Sequence, residues 1–272
     1  MTTLPVIGAA LTNADLMIWR DWILEKDRDL ELQSFSSATA LDGDWQPLAD
    51  QVKALLAGYK GRLGIHGPFW GFTVDSPDPL VQEVVRKRFG QGLDVCAAVG
   101  ATQMVIHSPF TTWYYNNLDM MAGQRDRFFT NTHAVLDPVV SRAADMGVVL
   151  VMENIEDIVP ADRKLLCESF SSPALQLSID TGHAHYAHGS TGAPPVDYFV
   201  RSAGEMLNHI HLQDADGHAD RHWQIGHGTI LWPAVFAALA ETGANPRLIL
   251  ELRDKAGVLP SAQYLKSLGL AE

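Results

Sequence analysis

Apolar residues in this chain come in short bursts rather than long stripes. Eight bursts recur: PVIGAAL (5–11), LELQSF (30–35), LGIHGPF (63–69), MVIHSPF (104–110), VVLVMENI (148–155), LQLSID (175–180), HIHLQD (209–214) and LILELR (248–253). Most are near-continuous Val, Ile and Leu, the composition of strands buried on both faces. Helical patterns lie between them. NADLMIWRDWILEKD predicts a helix with Asn13 as its N-cap. PLVQEVVRKRFGQGLDVCAAVG ends at Gly100, a long amphipathic stretch runs from Asp119 to Gly147, and WPAVFAALAETG ends at Gly243. Each terminal glycine suits a left-handed cap.

Strands alternating with helices imply a parallel sheet. Eight such units predict an α/β fold, a closed (β/α)8 TIM barrel forming a single domain over residues 1–272. The competing arrangement is an open, doubly wound sheet. No GxGxxG follows the first run, which weakens the nucleotide-binding version of that rival.

Composition narrows the partners. The formal net charge is −12, so nucleic acid and anionic membrane are repelled unless a basic patch intervenes. The densest basic stretch, RKR at 86–88, falls in a helical pattern and reads as a solvated face. Neither a nucleic acid nor a membrane partner is expected, whereas a homo-oligomer is compatible with this composition. Cys96 and Cys167 are the only cysteines and form no CxxC, which argues against a disulfide framework and a thiolate zinc site. MTTLPVIGAAL lacks a basic region leading a long apolar stretch, and no run approaches the ~20 residues of a membrane span. The expectation is a soluble, cytoplasmic protein.

Candidate chemistry gathers where a barrel keeps it, at the C-terminal ends of the strands. From the third run to the eighth these ends carry His66, His107, Glu153, Asp180 with His183, His211 with Asp214, and Glu251. Burying so many ionisable groups in one mouth costs several kcal/mol each unless something compensates, and a divalent cation would. Carboxylate and imidazole ligands without thiolate suit Zn²⁺, Mn²⁺, Fe²⁺ or Co²⁺. DRHWQIGHG (220–228) is too polar for a core and too glycine-rich for a helix. Its Asp220 and His222 would reach over the same mouth and, with His183, complete a separate site.

This set resembles the xylose isomerase-like superfamily of TIM barrels, and within it the endonuclease IV family. The resemblance spans about residues 60 to 255 and rests on IHGPF, VIHSPF, VMENI, IDTGH, HLQD, DRHWQIGHG and ILEL. It implies one to three metal ions, Zn²⁺ or Mn²⁺. Glu153 would bridge two ions. Asp180, His211 and Glu251 would complete one site, His66 and His107 a second, and His183, Asp220 and His222 a third. The G-E-G of the endonuclease is here Gly226-His227-Gly228, and HGPFWGFTVDSPDP is unlike a DNA-inserting loop.

The resemblance leaves several activities open, because the superfamily shares its metal quartet among different reactions. In a metal-dependent isomerase or epimerase of a small sugar or sugar phosphate, Glu153 and Glu251 would exchange a proton next to a carbonyl through a metal-stabilised enediolate. His183 would relay a proton or hold a hydroxyl. In a multinuclear zinc phosphoester hydrolase, the full ligand set would activate water. A dehydratase or lyase would use the same metal site, and a metal-stabilised scaffold is the non-enzymatic alternative. Trp70, Phe69, Phe72, Trp113 and Tyr114 are expected to wall a small substrate pocket, with ordinary loop packing as the alternative. Arg221 and Arg253 would either face an anion or pair with nearby carboxylates. His133 reads as a residue on a solvated helix face, and His209 as one layer below His211.

Overall fold

The computed structural model describes residues 4–118 and 120–272; Met1 to Thr3 of the N-terminal stretch and Asp119, the expected start of the long helix, lie outside them. Each apolar run carries one strand. These are β1 (Gly8–Leu11), β2 (Leu30–Leu32), β3 (Leu63–His66), β4 (Gln103–His107), β5 (Val149–Glu153), β6 (Leu175–Asp180), β7 (Leu207–Leu212) and β8 (Arg247–Leu250). They pair in parallel in chain order, and β8 closes on β1. The result is the expected (β/α)8 barrel.

Side chains alternate across each strand, and the two faces differ in kind. Outward residues such as Ile65, Met104, Ile106, Met152, Leu177 and Leu248 join the apolar core beneath the helices. The other parity on β2, β6, β7 and β8 carries Glu31, Ser178, Asp180, His209, His211 and Arg247, all buried. Register then aligns the polar strand ends. His107 pairs across from Glu153, and Asp180 across from His211. A register shift between Leu177 and Ser178 sets His209 beside Ser178, and with it His211 beside Asp180.

The helices follow the sequence pattern with two corrections, the first being that the long stretch expected from Asp119 to Gly147 is helical over Gln124–Asp145, after Gly123 at φ 71°. The second is in the opening helix, Asn13–Glu25, which is capped by Thr12 rather than Asn13. Thr12 Oγ1 accepts from the Asp15 amide at 3.2 Å and Asp15 Oδ2 accepts from the Thr12 amide at 3.1 Å, a reciprocal capping box. Asn13 is buried instead, its side-chain amide donating to Leu48 O and Gln51 Oε1. Gly100 and Gly243 end their helices at φ 76° and 70°. The RKR triplet lies on the helix Pro79–Val99, where Arg88 pairs with Asp42 at 2.6 Å and Arg86 donates to Ala134 O. It is therefore tied to neighbouring segments rather than a free basic face. Among the described residues no helix is long and apolar enough to cross a membrane.

Candidate metal centre

Four strands deliver the innermost group. Glu153 ends β5, Asp180 ends β6, His211 lies near the end of β7, and Glu251 follows β8. One nitrogen or oxygen from each lies within 4.8 Å of the others, and all four residues are buried or nearly so. His211 Nδ1 is 3.3 Å from Glu153 Oε1 and 3.4 Å from Glu251 Oε2.

One further group shares Glu153 with this one, and another lies beside it. His66 and His107, ending β3 and β4, each place Nε2 3.8 Å from Glu153 Oε2. On the other side, His183 Nε2 is 3.5 Å from Asp220 Oδ1, and His222 Nε2 is 3.0 Å from the same oxygen. The nine residues singled out in the sequence thus fall into the three clusters in which they were grouped, although residues 66 and 251 are 185 positions apart.

Most of the imidazoles are held in one tautomer. His66, His183 and His222 each place Nδ1 2.9 Å from a backbone carbonyl, of Gly67, Asn154 and Glu251 respectively. A carbonyl can only accept, so Nδ1 carries a proton, and Nε2 is the nitrogen turned to the cluster, where it presents a lone pair once the ring is neutral. His211 is turned the other way. Its Nε2 lies 2.9 Å from Glu31 Oε2, which leaves Nδ1 facing Glu153 and Glu251.

Burial opposes every charge here, and the neighbours decide the outcome. Burial would raise the Glu153 carboxyl, yet His211 and His183 hold it well below the usual carboxylate range. Burial would lower His211, but Glu251, Glu31 and Glu153 push it well above its ordinary value. His183 is raised against burial by Asp180, Asp220 and Glu153. His222 is raised in the same way to about 9, mainly by Asp220. His107 behaves oppositely: burial outweighs Glu153 and pushes it down to about 3. Burial also raises Asp180.

The donor set fits a divalent metal. All ligand-type atoms are imidazole nitrogens or carboxylate oxygens, and the tautomers aim lone pairs inward. Glu153 Oε2 is buried without a hydrogen-bond partner among the described residues. Its two histidine neighbours at 3.8 Å are too distant for a hydrogen bond. An orphaned carboxylate oxygen between two imidazole nitrogens is what a cation would satisfy.

Several supporting residues escaped the sequence reading. Glu31 on β2 is buried, approaches His211 at 2.9 Å and His209 at 3.2 Å, and forms a candidate metal group with both. His209 does lie beneath His211, their ring centres 4.5 Å apart. Gln33 donates to Glu251 Oε1. Gln213 is fully buried; its amide donates to Asp180 Oδ1 at 3.0 Å and to Asp220 Oδ1 at 2.9 Å, while its oxygen accepts the His222 amide at 2.6 Å. The DTGH glycine makes room for it, since a Cβ on Gly182 would meet Gln213 Cδ at 2.3 Å. His222 itself sits at φ 50°, an uncommon conformation for a non-glycine residue and one often found at functional sites.

Other expected residues lie elsewhere. Asp214, at the end of the seventh apolar run, organises the following loop; it accepts from the amides of Gly226 and Ile230 and from Trp232 Nε1. Phe69 stacks on His107 at 4.3 Å, and Phe69, Phe72 and His107 line a cavity of about 180 Å³. Trp70 and Trp113 are not in its lining and are 70% and 77% exposed, so these two do not form the expected wall. Tyr114 packs inward against Phe110 and Phe128. Arg221 takes the carboxylate pairing, forking onto Asp216 at 2.9 and 3.1 Å. His133 bonds Asp137 and Ser169 and stacks on Phe170, so it is engaged rather than simply solvated.

A parallel eight-stranded barrel with histidines and carboxylates gathered at its strand ends defines a class of protein. The model of the xylose isomerase-like TIM barrel family matches residues 28–268, and the chain belongs to that family. The uncharacterized protein MJ1311 of Methanocaldococcus jannaschii is 21% identical over 216 residues, 76% of this chain and 70% of that one. Among solved structures, a D-tagatose 3-epimerase-like protein superposes with a TM-score of 0.74 at 19% identity, covering 96% of both chains. The TTHB071 protein from Thermus thermophilus, described after soaking with ZnCl2, gives 0.70 at 24% identity, covering 96% of this chain and 97% of that one. At these identities the likeness is one of fold.

Proposed function

We propose that the protein is a divalent-metal-dependent isomerase or epimerase of a small sugar or sugar phosphate. One observation carries this reading: Glu153, Asp180, His211 and Glu251 converge from four strands to within 4.8 Å in a buried mouth. These four would hold the ion. When bound, a divalent cation supplies Lewis-acid polarisation of a carbonyl and its neighbouring hydroxyl. The D-tagatose 3-epimerase-like neighbour supports the same choice.

The chain's own groups then handle the proton. Both oxygens of Glu153 face the site, with Oε1 toward His211 and His183 and Oε2 without a bonding partner. One of these oxygens would hold the ion and the other would take the proton from carbon. Glu251 faces the mouth from β8 with Oε1 held by Gln33, which fixes its orientation as the second acid–base group. His183, its Nδ1 bound to Asn154 O, presents Nε2 as a partner for a substrate hydroxyl. Glu31 keeps His211 oriented from below.

The test is solvent deuterium incorporation into candidate ketoses, aldoses and their phosphates, measured by mass spectrometry with Mn²⁺- or Zn²⁺-loaded enzyme. Incorporation that disappears in Glu153→Gln is the expected result. Near-normal exchange in that variant would remove the proton-transfer role.

A second reading has its own observation. The His66–His107–Glu153 and His183–Asp220–His222 clusters exceed what one ion needs. Two or three ions held together would suit a phosphoester hydrolase, with the net charge of −12 pointing to a small ester over DNA. Metal analysis separates the two: one exchangeable ion per chain favours isomerisation, and two or three tight zinc ions favour hydrolysis.

A further inference from the structure

A cavity of about 360 Å³ opens beside Glu251 and His222, with Gln33, Arg253 and Lys255 in its wall. We propose that it is an anion subsite, and that the substrate handled by the metal centre carries a phosphate or carboxylate seated on Arg253 and Lys255. This rests on the isomerase reading above and names its substrate class, an anionic sugar derivative.

Two cations without carboxylate partners support it. The chain has 32 acidic residues against 20 Lys and Arg, and 11 of those 20 have a carboxylate within 4.0 Å among the described residues. Arg221, next in sequence to His222 of the cavity wall, is among them through Asp216. Arg253 and Lys255 have no carboxylate within 4.0 Å among the described residues, nor does the Arg253 side chain donate a hydrogen bond to any of them. Lys255 is half-buried and donates once, to Leu252 O at 2.7 Å. An ammonium has three hydrogens to give, so two remain for a ligand or solvent.

Asp15 and Glu251 share the cavity wall, and each carboxylate is engaged by another group. Asp15 is bound to the amide and hydroxyl of Thr12 at 3.1 and 2.7 Å. Asp254 caps its own turn through the Ala256 amide at 2.9 Å. Glu251 belongs to the metal group and to Gln33.

Position makes the two cations useful. The Arg253 amide donates to His222 O at 3.0 Å, which anchors this segment to the edge of the metal centre. A substrate reaching from that centre into the cavity would pass Glu251 and end at the guanidinium and ammonium groups. An anionic tail would otherwise be repelled by the carboxylates of the mouth. The planar guanidinium fork suits an oxyanion with two or more acceptor oxygens, a property that phosphate and carboxylate share.

The experiment is a calorimetric titration of metal-loaded protein with glycerol 3-phosphate, glycerate and glycerol. The expected result is that at least one anion binds about tenfold or more tightly than glycerol, and the stronger anion identifies the tail. Arg253→Gln should remove about tenfold of that preference, and the further change Lys255→Met should abolish it, with metal content unchanged by atomic emission. Arg253→Lys should retain part of it. If Lys255→Met fails to fold, Arg253→Gln and Arg253→Glu decide, because Arg253 is exposed. No preference for an anion in the native protein, or a preference that survives Arg253→Glu, overturns the subsite. Anion preference without deuterium exchange on any sugar phosphate keeps the subsite and overturns the isomerase. Exchange confined to neutral sugars, with no anion preference, does the reverse.

Discussion

The strand-borne and loop-borne halves of the site are built by different means. Glu153, Asp180, His211 and Glu251 stand on or next to four barrel strands and are at most 8% exposed. Backbone ladder bonds and parallel register fix their spacing before any side chain acts. Asp220 and His222 ride on a loop, where Asp220 is exposed and His222 adopts an uncommon backbone conformation. Their spacing comes from side-chain hydrogen bonds, chiefly those of Gln213. A barrel therefore sets the spacing of this quartet through its topology. An additional site on a loop needs its own scaffold, and here the buried Gln213 amide and the backbone bonds of His222 supply it. The expectation is that the quartet holds metal firmly and the loop cluster holds it conditionally.

The sharpest way to break this contrast is Glu153→Gln, which touches the quartet and its overlap with His66 and His107. It should lower turnover by about 10²- to 10⁴-fold with the fold intact, as read by steady-state rates and circular dichroism. Glu31→Gln comes next. It removes the carboxylate that orients His211 and should weaken metal retention by about 10- to 100-fold in a chelator-competition titration. Retention equal to the native protein would show that strand position alone suffices.

Gly182→Ala addresses the loop side. The added methyl meets Gln213 at 2.3 Å, so the amide must move. Overpacking of this kind costs about 1–3 kcal/mol. Thermal unfolding should shift down by a few degrees, and metal bound through Asp220 and His222 should be lost, while the quartet, which Gln213 touches only through Asp180, should weaken less. Equal loss from both clusters would remove the distinction.

The mildest effect is that of pH. His222 is raised to about 9 and His107 is pushed down to about 3. A ligand must be deprotonated to bind metal, so His222 competes with its own proton at neutral pH and His107 does not. Zinc affinity of the loop cluster should rise between pH 7 and 9, while that of the His66–His107–Glu153 cluster changes little. In chelator-treated protein the sign for His222 is fixed by its raised value. Its charge stabilises the fold below the unfolded value near 6.5, and that contribution fades as pH climbs through about 9. Melting curves at intervals across this range check it.

Much of this was legible in the sequence because ligands at strand ends sit beside apolar runs that announce themselves. His66, His107, Glu153, Asp180 and Glu251 each close or follow such a run, so the barrel rule placed them. Glu31 lies inside a three-residue strand between two leucines, and nothing local marks its carboxylate as facing inward toward His211. Gln213 looks like an unremarkable polar residue in HLQD. Its partners Asp180, Asp220 and His222 lie outside that motif and gather around it only in the folded chain. Phe69 and Phe72 line a cavity as expected but Trp70 and Trp113 do not, because exposure beyond a strand end depends on how the chain leaves the barrel, which residue spacing does not encode. Asn13 and Thr12 are both good caps, and the choice fell to the one with an acidic residue three positions on.

Because a single carboxamide grips Asp180 with its nitrogen while steadying the opposite rim with its oxygen, the two halves of the mouth are not independent receptors. An ion that draws Asp180 toward itself also tugs Gln213, and the pull is transmitted to Asp220 and His222. Loading of the second ion is thus expected to depend on the first, as a joint isotherm that two separate affinities cannot fit.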